Sequence, residues 1–426
     1  MTGNIALVNV HSTRNVGDAA LTEVAIEKLR DQFHNYRITL VMNDPSSYQG
    51  QEVTVNSFYN WVYKYNNHLA VRFIFLLIIS TFSLLTYRLF QKPIYLTKSR
   101  DLLATLDTIF EAHIVASTPG GYLYSYGRGR ALILFAFTLA ICVLAGKPLY
   151  LLPQSIGPFK NWFERIMIRW PLSRARIVMV RESVSLELIK SLNISDNRCR
   201  LFPDMAFAYR GKPPADAIKW LRSINIDPDN DRPLLGITIM DWGSQYQGFK
   251  AQKQYEIAVA GITRHFNNRY YGNILLFPQS WGPTENEDDR IPAKRIQMIN
   301  SDMVKFIHLV DDPVPPDLLK SIYGQIDVFI GTRMHSNIFA MTQNVPVIPI
   351  GYLHKTIGIA RSAGIEDWVI DINDINSELL INKFDELWKM RHQVRQQLEN
   401  RIPILIEQIN EVGPAIAQDF RDWNDR

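Results

Sequence analysis

The sequence predicts an α/β protein with two Rossmann-like lobes, each built on a parallel sheet, followed by a C-terminal helical tail. Three observations support this fold class. The chain has 426 residues, which is too long for one ordinary domain and suits two. Short apolar runs alternate with helix-length segments, as in βαβ units. A stretch rich in proline and polar residues at 205–232 interrupts this alternation, which then starts again.

The first lobe, predicted as residues 1–210, contains five apolar runs with helix-length segments between them. Strands are expected at 5–10, 37–42, 113–118, 148–153 and 176–181, and helices at 19–33, 130–145 and 183–192. Ser183 is the expected N-cap residue of the third helix. Because helices separate consecutive strands, we expect the sheet to be parallel.

The second lobe, predicted as residues 211–426, repeats the same order. Strands are expected at 234–240, 273–278, 306–310, 327–331 and 345–350, and helices at 252–266, 293–303 and 316–323. A helical tail at 377–422 closes the chain and is long enough to pack back across both lobes.

An apolar, aromatic segment at 58–96 interrupts the first lobe. Its run at 73–87 lies between Arg72 and Arg88 and, like a second run at 131–146, is shorter than the roughly 20 residues that cross a bilayer. A strand directly follows the second run, which favours a buried helix. The aromatic and basic flanks of the first run suit a helix at a membrane surface, and a core helix has the same pattern. Peripheral membrane contact therefore stays open.

Net charge and cysteine content narrow the kinds of ligand and the cellular compartment that we expect. The net charge is +4 without a block of basic residues, which suits small anions or a membrane surface better than nucleic acid. Cys142 and Cys199 show neither a disulfide framework nor metal-binding spacing. Residues 1–10 predict a strand and not a signal peptide. We therefore expect a cytoplasmic protein without a metal or cofactor.

One hexapeptide occurs twice, as PQSIGP at 153–158 and PQSWGP at 278–283, each after an apolar run. The repeat predicts related lobes with matching loops at strand ends, and Gln154 of the first copy is a candidate ligand-binding residue. Convergent turn chemistry of proline and glycine is the alternative.

The sharpest segment is DVFIGTRMHSNIFAM at 327–341. A strand should end near Ile330 and a helix should begin near Ser336, which places Arg333 and His335 on the loop between them. Helix N-termini bind anions, and a guanidinium pairs well with phosphate. The sequence therefore predicts a phosphate site here, in which Ser336 takes part.

Lys355 follows the next strand, so it should meet Arg333 and His335 in one crevice, because ligands of parallel sheets bind at the carboxyl ends of strands. The alternative makes Lys355 a solvated loop residue and His335 a helix cap. Arg181, at a strand end of the first lobe, can point into the same crevice or form a surface ion pair with Glu182 or Glu187.

Two loops of the first lobe complete the candidate site. The first turn carries His11, Asn15 and Asp18, with Asp18 as a ligand-binding residue or simply a helix N-cap. The loop after the third predicted strand carries Gly120, Gly121 and Tyr122. Paired glycines let the backbone approach a ligand, whereas the tyrosines of this loop suit stacking on a sugar or an interface between the lobes.

Taken together, these segments resemble the polysaccharide pyruvyl transferase family along most of the chain. The residues that carry the resemblance are Asn15-Val-Gly17-Asp18, Gly120-Gly121, the hexapeptide at 153–158, Arg181 with Ser185, Pro203-Asp204, Arg333-Met-His335 and Tyr352-Leu-His-Lys355. The segment from about 58 to 96 is the part least like the family.

The resemblance implies a GT-B-like fold and transfer of the enolpyruvyl group of phosphoenolpyruvate onto a sugar as a pyruvate ketal. It also implies catalytic roles for Arg181, His335 and Lys355. The donor carries a phosphate and a carboxylate, so Arg181, Arg333 and Lys355 are expected to bind it, and His335 is expected to move a proton.

The expected acceptor is a sugar of a cell-surface polysaccharide or its precursor, nucleotide-linked or lipid-linked. Two alternatives stay open: a GT-B glycosyltransferase that uses a nucleotide sugar, and a non-catalytic paralogue that binds a glycan. Architecture alone does not separate them, because one fold hosts many functions.

Overall fold

The computed structural model describes residues 2–63, 68–125, 131–230, 232–244, 249–281, 285, 288–351 and 354–425. The chain divides into two compact units. The first unit comprises Met1–Thr13, Leu21–Met205 and Gln408–Arg426, and the second comprises Arg14–Ala20 and Ala206–Glu407. The predicted lobe boundary at 210 is close to this division. The prediction was wrong for the ends of the chain, because 14–20 belong to the second unit and 408–426 to the first.

The first unit is built on an all-parallel sheet in the order β3-β2-β1-β4-β6-β7-β8, with β5 paired to β6. Its strands are β1 (Gly3–Val10), β2 (Tyr36–Met42), β3 (Val53–Asn56), β4 (Ile114–Ser117), β5 (Gly120–Leu123), β6 (Leu149–Ile156), β7 (Ile177–Val180) and β8 (Cys199–Leu201). Because β4, β6 and β7 are buried along their whole length, they read in the sequence as continuous apolar runs rather than alternating ones.

Seven helices accompany this sheet along the chain. They are α1 (Val16–Gln32), α2 (Phe58–Tyr63), α3 (Leu69–Phe90), α4 (Arg100–Glu111), α5 (Ala131–Leu144), α6 (Trp162–Leu172) and α7 (Ser183–Ser191). Helix α5 is the buried helix that the sequence predicts at 130–145, and Leu132, Phe135 and Leu139 lie in the core. Helix α3 has 22 residues, so the expectation that this segment is shorter than a membrane span was wrong. It is long and apolar enough to cross a membrane by length and composition, with a third of its apolar window buried.

The second unit has a six-stranded parallel sheet in the order β11-β10-β9-β12-β13-β14. Its strands are β9 (Leu234–Thr238), β10 (Asn273–Leu276), β11 (Ile307–Leu309), β12 (Val328–Gly331), β13 (Val347–Gly351) and β14 (Ile370–Asp371). This is the strand order of a Rossmann fold, which reverses direction between β9 and β12.

The remaining helices come after residues 206–213, which we call the linker between the units. They are α8 (Pro214–Ser223), α9 (Gln252–Tyr270), α10 (Arg290–Ile299), α11 (Pro316–Tyr323), α12 (Met334–Thr342), α13 (His354–Ala363), α14 (Ser377–Asn410) and α15 (Val412–Asn424). The predicted tail is therefore two helices, and α15 belongs to the first unit. There the Asp419 carboxylate accepts two hydrogen bonds of 2.8 Å from Arg176 and one of 2.8 Å from the Tyr150 hydroxyl.

Candidate functional site

The centre of the candidate site is the point in the second unit where the sheet order reverses. Strands β9 and β12 are neighbours there; β9 ends at Thr238, and Thr332 directly follows β12. The Thr238 hydroxyl accepts a hydrogen bond of 3.0 Å from the Thr332 backbone, and the Thr332 hydroxyl donates to the Thr238 carbonyl at 2.9 Å. Ligands of open parallel sheets bind at such a reversal, beyond the carboxyl ends of the strands.

Arg333 directly precedes α12 and is held by a buried carboxylate. Its Nε and Nη2 atoms donate to the two Asp289 oxygens at 3.0 and 2.6 Å, and Asp289 is only 1% exposed. Asp289 also accepts a hydrogen bond of 3.0 Å from the backbone of Gln279, in the second hexapeptide. The guanidinium therefore has a set orientation, and this pairing uses two of its five N–H donors.

His335 lies in the first turn of α12, and not on the preceding loop as predicted, because the helix begins at Met334. Its ring packs against Gly17. A Cβ atom at Gly17 would overlap His335 Nδ1, so this position has room only for glycine. The NVGD segment and the RMH segment of the sequence thus meet within the second unit.

Asn15 caps the helix that carries Gly17. Its side-chain oxygen accepts hydrogen bonds from the backbone N–H groups of Gly17 and Asp18, at 3.0 and 3.2 Å. The alternative that made Asp18 the N-cap was therefore wrong, because α1 begins at Val16 and Asp18 lies in its first turn. The cap holds the N-terminus of α1 in place beside His335.

Ser336 has a different role from the predicted contact with the donor. Its side chain is fully buried; the hydroxyl donates to the Arg333 carbonyl at 2.6 Å and lies 3.0 Å from the Thr238 hydroxyl. Ser336 therefore ties the start of α12 to the end of β9, and its predicted contact with the donor stays a prediction.

Lys355 lies in the first turn of α13, directly after β13, which is the neighbour of β12. Its backbone therefore starts at the same edge of the sheet as Arg333. The side chain of Lys355, and Tyr352 and Leu353 altogether, lie outside the described residues, so the predicted role of Lys355 stays a prediction.

Arg181 belongs to a buried polar network in the first unit. Its Nη1 atom lies 2.5 Å from Asp204, its Nε donates to the Ser155 hydroxyl at 2.8 Å, and Glu182 is 3.7 Å away. The Arg181 side chain is only 3% exposed. It is therefore neither a cation open to a ligand nor part of an ion pair at the protein surface, which were the two predicted alternatives. An unpaired charge here would be costly, which explains why two carboxylates accompany it.

The same network contains the other family residues of this edge. Glu182 is the N-cap of α7, where the sequence predicted Ser183, and it accepts hydrogen bonds from Ser155, at 2.9 Å, and from Ser185. Ser155 belongs to the first hexapeptide, which forms the end of β6 and does not follow it as predicted. In both units, the hexapeptide thus contributes to holding an arginine at a strand end.

Tyr122 is also buried, at 1% exposure, so its predicted stacking on a sugar is not available in this structure. Its ring packs against His11 and Phe135, with centroid distances of 5.2 and 5.3 Å, and its hydroxyl contacts Ser117. Burial raises the pKa of Tyr122 well above its usual value. The ring therefore positions His11 at the end of β1.

The glycine pair Gly120-Gly121 begins β5 directly before Tyr122. Gly120 has a φ of +129°, which other residues rarely adopt, and Gly121 is half-buried. Gln154 is paired with Gly120 between β5 and β6 and is fully buried. Among the residues that the structure describes, neither polar atom of its amide has a hydrogen-bond partner, which is unusual for a buried side chain.

A model of the polysaccharide pyruvyl transferase family matches residues 15–354. The chain belongs to this family. The amylovoran biosynthesis protein AmsJ of Erwinia amylovora is 24% identical over 333 residues, which cover 77% of this chain and 75% of AmsJ. The protein is therefore a transferase of polysaccharide biosynthesis with a relative that is named for amylovoran biosynthesis.

Solved structures of other enzymes share the GT-B-like fold of this pyruvyl transferase. Sucrose-phosphate synthase of Thermosynechococcus elongatus gives a TM-score of 0.60 at 13% identity, over 99% of both chains. The UDP-GlcNAc 2-epimerase of Neisseria meningitidis, bound to UDP-GlcNAc, gives 0.54 at 12% identity, over 98% of this chain and 100% of that chain. At such identities the likeness is one of fold alone.

Sequence reasoning about this family member missed two site residues, Asp289 and Thr238. Asp289 lies among several acidic residues in the stretch ENEDDR, and nothing local distinguishes the one that binds Arg333. Thr238 is an ordinary strand residue in the sequence. The strand order of a Rossmann sheet makes the first and fourth strands neighbours. This order could have indicated that Thr238, at the end of β9, lies beside the end of β12.

Proposed function

We propose that this transferase moves the enolpyruvyl group of phosphoenolpyruvate onto two hydroxyls of a sugar, where it becomes a pyruvate ketal. The observation that carries the proposal is the position of Arg333 and His335 at the N-terminus of α12, in a chain that matches the pyruvyl transferase family through residue 354. A helix N-terminus favours an anion, and Arg333 adds a charge beside it.

Two kinds of group are required to hold the donor. Phosphate suits the first turn of α12 together with Arg333, whose orientation Asp289 maintains. Lys355, at the start of α13, follows the adjacent strand and supplies the second cation for the carboxylate or the departing phosphate. Arg181 is buried in its own network, so we assign it to positioning the end of β6 and the start of α7.

The proposed reaction forms two C–O bonds and breaks one. Two sugar oxygens bond to the central carbon of phosphoenolpyruvate, the methylene carbon takes one of the two hydroxyl protons and becomes a methyl group, and phosphate leaves with the other. We assign His335 to move the first of these protons, because imidazole is both an acid and a base near neutral pH.

The acceptor is a sugar unit of a surface polysaccharide or its precursor, carried on a nucleotide or on a lipid. Gln154 is the candidate acceptor-binding residue of the first unit, because neither polar atom of its buried amide has a hydrogen-bond partner among the described residues, whereas the hydroxyls of Tyr122 and Ser336 already have one. We place the enzyme in the cytoplasm, which agrees with two cysteines that are both free thiols.

Calorimetric titration of phosphoenolpyruvate into the native protein tests the donor. Arg333→Lys keeps a charge beside Asp289 but loses the planar fork, and Lys355→Ala removes the second cation; each should weaken binding about tenfold or more. Arg290→Ala is the matched control, because Arg290 pairs with the neighbouring Asp288 at the surface. Binding of a nucleotide sugar with no response to phosphoenolpyruvate, with or without acceptor, would favour glycosyl transfer instead.

The role of His335 is tested by turnover. We expect His335→Gln to bind phosphoenolpyruvate within about twofold of the native protein and to release phosphate at least about a hundredfold more slowly in the presence of acceptor. Turnover at the native rate would show that another group moves the proton.

A further inference from the structure

Helix α3 turns its large apolar side chains outward. Seven of them are exposed, among them Leu89 at 74% and Phe75 at 55%. They recur at helical spacing along one side, which we call the α3 face: Val71, Ile74, Phe75, Ile78, Leu85, Leu89 and Phe90. Monomeric soluble proteins rarely leave such a continuous apolar strip uncovered.

The opposite side of α3 is more polar than the exposed side. Ser80, Ser83 and Thr86 are buried there, beside Leu76 and other core residues. A helix that served only to pack in the core would have the reverse pattern. Because this side belongs to the core of the first unit, α3 is also not free to cross a bilayer with lipid around its whole circumference.

The sequence that contains α3 is basic throughout. From Val53 to Arg100 the sequence contains six basic residues and no acidic one. The whole chain has a net charge of +4, so all its other residues together are slightly acidic. Arg88, Lys92 and Lys98 are exposed near the C-terminal end of α3. These cations near the end of α3 supply the charge that complements anionic phosphates.

Helix α6 adds a second exposed apolar cluster to the same unit. Trp162, Phe163 and Ile166 are exposed by 72, 54 and 56%, with Arg169 exposed on the same helix. Helices α3 and α6 both pack against α5, so they belong to one helical layer. Aromatic residues next to basic ones are typical of protein surfaces that enter the membrane interface.

We propose that the α3 face is a membrane-binding surface, on which α3 lies in the plane of an anionic bilayer with its apolar residues among the lipid chains. A 22-residue helix is about 33 Å long, which gives a long line of contact with the bilayer surface. Arg88, Lys92 and Lys98 pair with lipid phosphates, and the cluster on α6 gives a second point of attachment. The proposal does not depend on the identity of the donor.

Sedimentation with phosphatidylcholine vesicles, with and without phosphatidylglycerol, tests this surface. The native protein should bind, and more strongly when phosphatidylglycerol is present. The double variant Phe75→Glu/Ile78→Glu should lower the partition coefficient at least about tenfold. The matched control is Met298→Glu, because Met298 is 73% exposed in the second unit; its binding should equal that of the native protein.

A second variant leaves the helix itself unaltered and so remains informative if the acidic substitutions disturb folding. Lys92→Gln/Lys98→Gln should lower affinity for phosphatidylglycerol vesicles about fivefold for each cation removed, and should leave thermal unfolding unchanged. Three results would overturn the proposal. The first is a native protein that binds neither kind of vesicle, and the second is a Met298→Glu variant whose vesicle binding falls as much as that of Phe75→Glu/Ile78→Glu. The third is a native protein that is a dimer without lipid and that Phe75→Glu/Ile78→Glu converts to a monomer.

Discussion

Gly17 and His335 lie near opposite ends of the family match and touch each other in the second unit. The contact explains why glycine follows Val16 in a helix, where glycine normally costs stability. Its absent side chain leaves space for the imidazole. The Asn15 cap, whose side-chain oxygen accepts a hydrogen bond from the Gly17 N–H, maintains the backbone at that distance.

Gly17→Ala should therefore move the His335 ring although alanine is the better helix former. We expect kcat for pyruvyl transfer to fall about a hundredfold, because displacement of a catalytic group by an ångström has effects of that size. Steady-state kinetics measures the loss of kcat, and a thermal melt measures the effect on stability. Gly261→Ala is the control, because Gly261 is also helical and its added Cβ would meet Ser377 at 3.2 Å or more. Equal kinetics in the two variants would contradict a positioning role for Gly17.

Individual site residues were predictable where the chain itself placed them at a strand end. The positions of Arg333 and Arg181 beside strand ends were predicted in this way, whereas their roles toward a ligand stay predictions. Their partners were not predicted, because Asp289 and Asp204 lie dozens of positions away and only the folded sheet brings them close. Whether an arginine is open to a ligand or held by a carboxylate is decided by such long-range partners.

At the scale of elements, the linker between the units is anchored to α11. Buried Lys320 donates a hydrogen bond to the Tyr209 carbonyl, and the Ser321 hydroxyl donates to the Lys212 carbonyl at 2.7 Å. The Tyr209 ring stacks on Phe339 with a centroid distance of 5.5 Å. Burial lowers the pKa of Lys320 to about 8, because the charged form loses its hydration.

This shift predicts a stability that increases with pH. Above pH 8 the folded protein releases the Lys320 proton while the unfolded chain retains it up to about pH 10.5, so folding gains about 1.4 kcal/mol per pH unit in that interval. Lys320→Met should remove this increase and raise the free energy of unfolding at pH 7 by about 2 kcal/mol. Urea unfolding at pH 7 and pH 9 measures both effects.

The control for this prediction is Lys219→Met, because Lys219 is exposed on α8. It should change stability by no more than about 0.5 kcal/mol at either pH. A native pH dependence that Lys320→Met leaves intact would show that another group titrates.

Periodicity predicted most elements, because buried parallel strands are continuous apolar runs and helices have a longer repeat. Helix starts were less accurate. The sequence placed α1 and α12 three and two residues too late, since polar first-turn residues resemble loop residues. The extent of α3 was also missed, because Arg72 and Arg88 were taken as its limits although both lie within the helix.

At the scale of the whole molecule, the first unit depends on the end of the chain. Phe420 of α15 is 6% exposed, with ring centroids 6.0 Å from Phe33 and 6.4 Å from Tyr36. Phe420→Ala should lower the free energy of unfolding by about 3 kcal/mol, because it leaves a cavity. Denaturant unfolding measures this. Ile404→Ala, at a half-exposed position of α14, should cost about 0.5 kcal/mol or less; similar losses in both would mean that α15 contributes little to the first unit.

The two-lobed architecture was predictable, because the alternation of strands and helices occurs twice and a proline-rich stretch separates the two copies. The assignment of the two end segments to the units was not predictable. Residues 14–20 and 408–426 each belong to the unit that their sequence position does not suggest. A sequence pattern predicts units that are each one continuous stretch of chain. The unit against which an amphipathic helix such as α15 packs is decided by tertiary contacts, which the pattern does not show.

The membership of α15 in the first unit has a consequence for biosynthesis. Domains usually fold in the order in which they leave the ribosome, from the N-terminus onward. Here residues 21–205 emerge early but wait for 408–426, which are translated only after residues 206–407 of the second unit. A nascent chain therefore exposes the surface around Phe33 and Tyr36 until residues 408–426 have emerged, and a premature stop codon before residue 408 yields a polypeptide that quality-control proteases recognise as incomplete.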